Sequence, residues 1–274
     1  MPQKPPPPGT PPAPLPAGWI RVDCHLHTVD SGDAITTLDE LADRARAAGL
    51  DAVCITDHNV ISAALAARGR DLGVRVITGE EIRTPDGDVI GLFLTERIPY
   101  VLPLAEVTQR IRAQGGLVYV PHPFDPGRSS LGGALAGLCE AGMADVIEVF
   151  NAKIADPARN QRAAAAAAGA GLPGGVGSDA HDPDGIGAAY LEMPDFDGPA
   201  SFVTALAQAR VIGEYRDHAR ATAESRRCDI ARDLSRAMSH RSHSDGRVRG
   251  RSCPPGARGG RRRRRGTAGW PRPA

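Results

Sequence analysis

Paired cysteines are absent from this chain. Five cysteines (Cys24, Cys54, Cys139, Cys228, Cys253) occur in an odd number and without a C-x-x-C spacing. That argues against a disulfide framework and against a thiolate zinc site. Cys24 and Cys54 lie inside apolar runs, where free cysteine usually serves as a small buried residue. Aromatic residues make up only 4% of 274 residues, so the chain offers few stacking platforms for single-stranded nucleic acid. There is no G-x-G-x-x-G after the first apolar segment, which argues against a dinucleotide fold. No apolar run reaches membrane-spanning length, and the N-terminus is proline-rich rather than basic and then apolar. A soluble, cytoplasmic chain with no membrane contact is the expectation.

The formal net charge of +1 conceals two unlike parts. Residues 241–274 hold 11 arginines and one acid, while residues 1–240 hold 22 basic and 31 acidic residues. The acidic body would repel a long polyanion, apart from whatever a cation offsets locally. Residues 1–17 are largely proline and read as a disordered or polyproline II leader. Residues 221–274 read as a low-complexity arginine-rich tail. Between them, residues 18–220 read as one domain.

Within that domain, strand-like and helix-like segments alternate. Helical spacing over 38–48, with Thr36 or Thr37 available as a cap, is followed by an apolar strand over 52–56. Further helices are expected over 61–69, 104–114, 130–140, 160–170 and 202–209. Further strands are expected over 74–78, 117–120, 145–150 and 211–215. Asp86-Gly87 marks a turn between 81–84 and 89–94, so a hairpin interrupts the alternation. Six or seven β-α units favour a closed or nearly closed barrel over an open sheet. In such barrels the site lies at the C-terminal strand ends.

Five short clusters follow apolar runs. They are Asp23-Cys24-His25-Leu26-His27, Thr56-Asp57-His58-Asn59, Gly79-Glu80-Glu81, Pro121-His122-Pro123 and Ser178-Asp179-Ala180-His181. His25 and His27 alternate along a strand and so share a face. Asp179 and His181 repeat that spacing. Asp33, in the turn Ser31-Gly32-Asp33, is near enough to fold back to the rim. Asp57 is placed to orient an imidazole as an acceptor. Five imidazoles with three or more carboxylates exceed one tetrahedral site and suit two or three metal ions. Nitrogen and oxygen donors without thiolate suit zinc, manganese or iron(II).

At these residues the chain resembles the PHP (polymerase and histidinol phosphatase) family, over roughly Trp19 to Met193. The motifs are His25-Leu26-His27, Ser31-Gly32-Asp33, Thr56-Asp57-His58-Asn59, Gly79-Glu80-Glu81, His122-Pro123 and Gly177-Ser178-Asp179-Ala180-His181. The resemblance implies an α/β fold: a distorted, TIM-like (β/α)7 barrel. It implies a metal-dependent phosphoesterase, usually with three metal ions. It assigns His25, His27, Glu81 and Asp179 to one metal. Glu81 would bridge to a second, which His122 helps to hold, and Asp33, His58 and His181 would hold the third. Glu81 is preferred to Glu80 because an apolar residue, Ile82, follows it directly. Where many members carry a further histidine this chain has Asp88, so aspartate replaces that ligand or the site holds two metals. Glu148, within a strand, is a candidate supporting residue.

The expected reaction is hydrolysis of a phosphate ester by metal-held hydroxide, so no catalytic side chain is assigned. Arg128, just past His122-Pro123, is the candidate substrate-binding residue, by bidentate contact with a phosphoryl oxygen. The expected partner is a small phosphomonoester or nucleotide, or the 5′ end of an oligonucleotide, as in a 5′-3′ exonuclease. The chain has no room for a polymerase domain. Two rivals are a non-catalytic module of the same fold and an amidohydrolase-type C–N hydrolase. The latter class often bridges its metals with a modified lysine, and the chain has only Lys4 and Lys153.

Overall fold

The computed structural model describes residues 2–7, 10 and 12–216. The arginine-rich tail expected over 221–274 lies outside the described residues. Nine strands form one sheet. In chain order the elements are β1 (Trp19–Leu26), α1 (Leu38–Ala47), β2 (Ala52–Ile55), α2 (Ser62–Arg68), β3 (Arg75–Thr84), β4 (Gly87–Leu92), α3 (Leu104–Ala113), β5 (Leu117–Val120), α4 (Ala134–Glu140), β6 (Val146–Asn151), α5 (Pro157–Ala170), β7 (Gly174–Gly177), β8 (Ala189–Pro194), α6 (Pro199–Leu206) and β9 (Arg210–Gly213).

Local chemistry accounts for the helix limits. Thr37 caps α1 in a reciprocal capping box with Glu40, and Leu41, Ala42 and Ala45 form its buried stripe. Asp156 caps α5, Pro157 opens it, and Gly171 ends it in a left-handed conformation. Helix α4 starts four residues later than the composition suggested. Gly132 and Gly133 precede it, and the Ser130 hydroxyl is spent on the carbonyls of His122 and Asp125. Strands such as β2 are buried along their whole length, as expected of a parallel strand covered on both faces.

The sheet runs in the order β7-β6-β5-β4-β3-β2-β1-β8-β9. β1–β2–β3 and β5–β6–β7 pair in parallel, and β4 runs antiparallel between them. The β3–β4 hairpin is the one that Asp86-Gly87 foretold, but β3 is longer than expected. It continues unbroken through Gly79-Glu80-Glu81 to Thr84, because nothing interrupts its pairing with β4 from Gly79↔Leu92 to Thr84↔Gly87. The glutamates therefore lie within a strand rather than at its end. β8 was not foreseen from the sequence; it pairs antiparallel to β1, and β9 pairs antiparallel to β8.

The lower half of β1 pairs with β8, up to Val22↔Leu191. Beyond that point β1 turns to the segment after β7. Asp179 N–H donates to the His25 carbonyl (2.7 Å), and His27 N–H donates to the Ala180 carbonyl (2.9 Å). The ring of strands is thus nearly closed, with β1 meeting the segment after β7 at the rim that carries the histidines. The N-terminal residues lie along β9: Gln3 exchanges hydrogen bonds with Val211 and Gly213, and Lys4 pairs with Glu214. No helix among the described residues is long and apolar enough to cross a membrane.

Candidate metal centre

The rim brings all the expected metal ligands together. His25 and His27 leave β1 with their Nε2 atoms 3.0 Å apart. Glu81 Oε2, from β3, lies 3.4 Å from each of them and 3.0 Å from His58 Nδ1, just past β2. Glu81 Oε1 is 3.0 Å from His122 Nε2, just past β5. Asp179, past β7, places Oδ1 3.5 Å from His27 Nε2 and 3.4 Å from His181 Nδ1. Asp33 Oδ2 stands 3.4 Å from His58 Nε2 and 3.5 Å from His181 Nε2. Three overlapping groups have their ligand atoms within 4.8 Å of one another: His25–His27–Glu81, His25–His122–Asp179 and His27–His58–His181.

Hydrogen bonds fix which ring nitrogen faces this space. Glu148 Oε1 can only accept, so His25 donates its Nδ1 proton to it at 3.0 Å. The Ser31 hydroxyl donates to Asp57 (3.0 Å) and accepts from His58 N–H (2.9 Å). Its remaining lone pair accepts the Nδ1 proton of His27 at 2.9 Å. In their neutral forms both imidazoles therefore present unprotonated Nε2 atoms inward, as metal-binding histidines do. Among the described residues no other protein donor faces those two nitrogens, which lie 3.0 Å from each other. Glu81 Oε2 and Asp179 Oδ1 are likewise buried without a hydrogen-bond partner. Unpartnered carboxylate oxygens and facing lone pairs are costly in a buried site unless a cation sits among them. The donor set thus fits divalent metal ions with nitrogen and oxygen ligands.

Electrostatics show the same deficit. Burial opposes a charge on His25, but Glu148 and Glu81 outweigh it and raise its pKa to about 9. Burial also opposes ionisation of Glu81, yet His25, His122 and His58 hold its carboxyl well below the usual range. His27 goes the other way: burial, then His181 and His58, keep it neutral. The backbone is strained at two of these positions. His122 (φ 26°) and Asp179 (φ 52°) are non-glycine residues in the left-handed region, which is held only where surrounding contacts enforce it.

The other expected residues fall as follows. Asp57 touches no imidazole directly; it accepts from Thr28 N–H, the Thr28 hydroxyl and the Ser31 hydroxyl, and reaches His27 only through Ser31. Glu80 points away from the group and accepts from Ile98 N–H (2.9 Å). Asp88 is buried on β4 opposite Arg83, whose Nε lies 3.3 Å from it, and joins none of the three groups. Burial and the charge of Glu81 push its carboxyl up. Arg128 lies against Asp179 Oδ2 and 3.4 Å from Asp125. Glu148 gathers four donors: His25 Nδ1, the Tyr119 hydroxyl, His122 N–H and Asn151 Nδ2. Sequence reasoning missed the parts played by Ser31, Tyr119 and Asn151. It weighed Lys153 only under the C–N hydrolase alternative, and Lys153 Nζ sits 2.9 Å from His181 Nδ1 and 3.6 Å from Asp179 Oδ1. Burial and the nearby Arg128 lower its pKa to about 7. Its position just past β6 was the available signal.

A barrel that gathers imidazoles and carboxylates from five strands onto one rim has groups able to hold metal ions. Comparison with known proteins narrows this. The PHP domain model matches residues 23–117, and the PHP-associated model matches residues 157–211. An uncharacterized protein of Methanocaldococcus jannaschii is 36% identical over 145 residues, covering 48% of this chain and 82% of its own length. A second uncharacterized protein of that organism is 34% identical over 200 residues, covering 68% and 79%. The chain belongs to the PHP family. In fold it resembles a two-domain protein from Bacteroides vulgatus that contains a predicted PHP-like metal-dependent phosphoesterase (TM-score 0.58, 20% identity, 77% of this chain and 72% of that one).

Proposed function

We propose that this protein is a metal-dependent phosphoesterase. The observation that carries the reading is the pair of buried carboxylate oxygens without partners, Glu81 Oε2 and Asp179 Oδ1, set among imidazoles whose Nε2 lone pairs point at them. His25, His27, Asp33, His58, Glu81, His122, Asp179 and His181 would hold two or three divalent ions, with zinc, manganese or iron(II) all suited to the donors. When bound, such ions polarise a phosphoryl group and lower the pKa of water.

The chain's own groups prepare that site. Glu81 faces His122 with one oxygen and His25, His27 and His58 with the other, so it would be shared between the two groups of imidazoles when metal is bound. Glu148 and the Asp57–Ser31 pair orient the imidazoles. Arg128 is within reach to hold a phosphoryl oxygen. The excess of acid in residues 1–240 favours a small phosphomonoester or a nucleotide over a long nucleic acid. A 5′ end of a short oligonucleotide is the remaining nucleic-acid substrate.

One observation favours the C–N hydrolase reading: Lys153 reaches the site. However, Glu81 already occupies the bridging position between the imidazole groups, so no modified lysine is needed there.

The test is metal content of the purified full chain, with hydrolysis of an aryl phosphate before and after chelation and re-addition of manganese or zinc. Two or three ions per chain with chelator-sensitive turnover is the expected result. A folded His25→Ala, Asp179→Ala double variant that kept full activity would sink the reading.

A further inference from the structure

Just past β9, the residues Glu214-Tyr215-Arg216 reach both the exit of β6 and the loop after β7. Glu214 N–H donates to the Ala188 carbonyl at 2.9 Å. The Tyr215 ring packs on Phe150 of β6, with centroids 4.9 Å apart, and its hydroxyl accepts from Asn160 Nδ2 at 3.3 Å. Arg216 N–H donates to the Ala152 carbonyl at 2.9 Å. Its Nη1 donates to both oxygens of Asp182, at 2.9 and 3.2 Å. One short segment thus ties two loops of the rim together.

The place of the guanidinium is prepared by the loop itself. A Cβ on Gly185 would lie 2.5 Å from Arg216 Nη1, so glycine leaves the room. Gly185 N–H also donates to Asp182 Oδ1 at 2.9 Å. The same carboxylate therefore folds the turn Pro183–Gly185 and receives the arginine. The side chains of Arg216 and Asp182 are only 22% and 12% exposed. Removing one partner of such a pair leaves the other charge poorly solvated. Arg44 reaches Asp184 in the same turn, but those side chains are 51% and 62% exposed, and pairs of that kind contribute little.

Asp182 directly follows the candidate ligand His181. The His181 carbonyl accepts from Ile35 N–H at 2.8 Å, two residues past Asp33. The hold of Arg216 is therefore passed through Asp182 and His181 to the turn that presents Asp33. With His58, these two ligands form the open side of the centre. Asp33, His58 and His181 have side chains 56%, 26% and 16% exposed, whereas His25, His27 and Glu81 are at most 1% exposed. Ligands carried on loops keep their geometry only if the surrounding residues hold the loops.

We propose that Arg216 is a positioning residue for the outermost metal ion, the one that Asp33, His58 and His181 would hold. It acts through Asp182 and the bond between His181 and Ile35, without touching the ion. This rests on the metal-dependent phosphoesterase reading.

Full-length wild type, Arg216→Gln, Arg216→Lys and Arg44→Ala are stripped of metal and titrated with manganese against a chromophoric chelator, which resolves the affinity of each ion in turn. Denaturant unfolding of the metal-free proteins is measured alongside. Arg216→Gln is expected to weaken the last-bound ion by about 10–100-fold and to leave the tighter ions as in wild type. Arg216→Lys keeps the charge and should recover part of that loss. Arg44→Ala should leave every ion unchanged. Equal weakening of all the ions, or an unchanged last ion beside a lowered stability, would overturn the positioning role alone. If Arg216→Gln does not fold, Arg216→Lys compared with wild type decides by the same criterion, with a smaller selective loss expected. A wild type that binds fewer than two ions would overturn the metal-centre reading and the positioning role with it.

Discussion

Glu148 accepts the Nδ1 proton of His25 at 3.0 Å and the Tyr119 hydroxyl at 3.1 Å on the same oxygen, with no solvent exposure. That bond is what turns the His25 Nε2 lone pair inward. Glu148→Gln keeps the shape but can offer an N–H in place of an acceptor. Metal affinity is expected to fall by about 10–100-fold, the range for such supporting partners of metal-binding histidines. Competition with a chromophoric chelator measures this; an unchanged affinity would show that Glu148 does not set the tautomer.

Gly177 ends β7 against His25. A Cβ at this position would stand 2.3 Å from His25 Cβ and 2.7 Å from Glu148 Oε1. Neither neighbour has room to retreat, since both are fully buried. Gly177→Ala should destabilise the protein by about 1–3 kcal/mol through overpacking, and should lower metal content as well. Denaturant unfolding and metal analysis of the variant test both effects.

The titration of His25 has a definite sign. Its pKa in the folded chain is about 9, against about 6.5 for an unfolded histidine. A raised value contributes stability that is complete below the unfolded pKa and is lost as pH climbs toward the folded one. His58, likewise held up to about 9, acts in the same direction, while Lys153, lowered to about 7, offsets one of the two, so the melting temperature of chelator-treated protein should still drop between about pH 6.5 and pH 9. Metal ions require the neutral imidazole, so metal affinity should rise over the same interval with release of protons. A flat melting profile for the chelated protein would contradict this.

Asp88 offers a contrasting case. It pairs with Arg83 and joins none of the three ligand groups. Asp88→Ala should retain the wild-type number of metal ions and lose some stability, because Arg83 is left without its partner. Loss of one ion per chain would make Asp88 a ligand after all.

Much of the barrel was legible because its signals are local. Thr37 and Asp86-Gly87 each announce a boundary within a few residues, whereas the start of α5 was expected at 160, three residues after the Pro157 that opens it behind the Asp156 cap. The clustering of the candidate ligands was legible for the same reason, since each lies in a short motif, although Glu81 sits within β3 and not at its exit. What the sequence could not display was contact across the barrel. Ser31 read as part of a turn, yet its hydroxyl joins Asp57 to His27. Tyr119 read as a strand residue and Asn151 as the residue just past one, and only the fold brings them to Glu148. The length of β3 was misjudged because Gly79 resembles a stop, whereas pairing with β4 carries the strand through it.

The two backbone bonds that join β1 to the end of β7 belong to residues of the site itself: Asp179 N–H to His25, and His27 N–H to Ala180. Metal ions gripping the side chains of His25, His27 and Asp179 would therefore also rivet the seam of the barrel. Filling the site and sealing the ring become one thermodynamic event. Chelation should then speed hydrogen exchange first at the amides of His27 and Asp179, before the hairpin of β3 and β4 is affected.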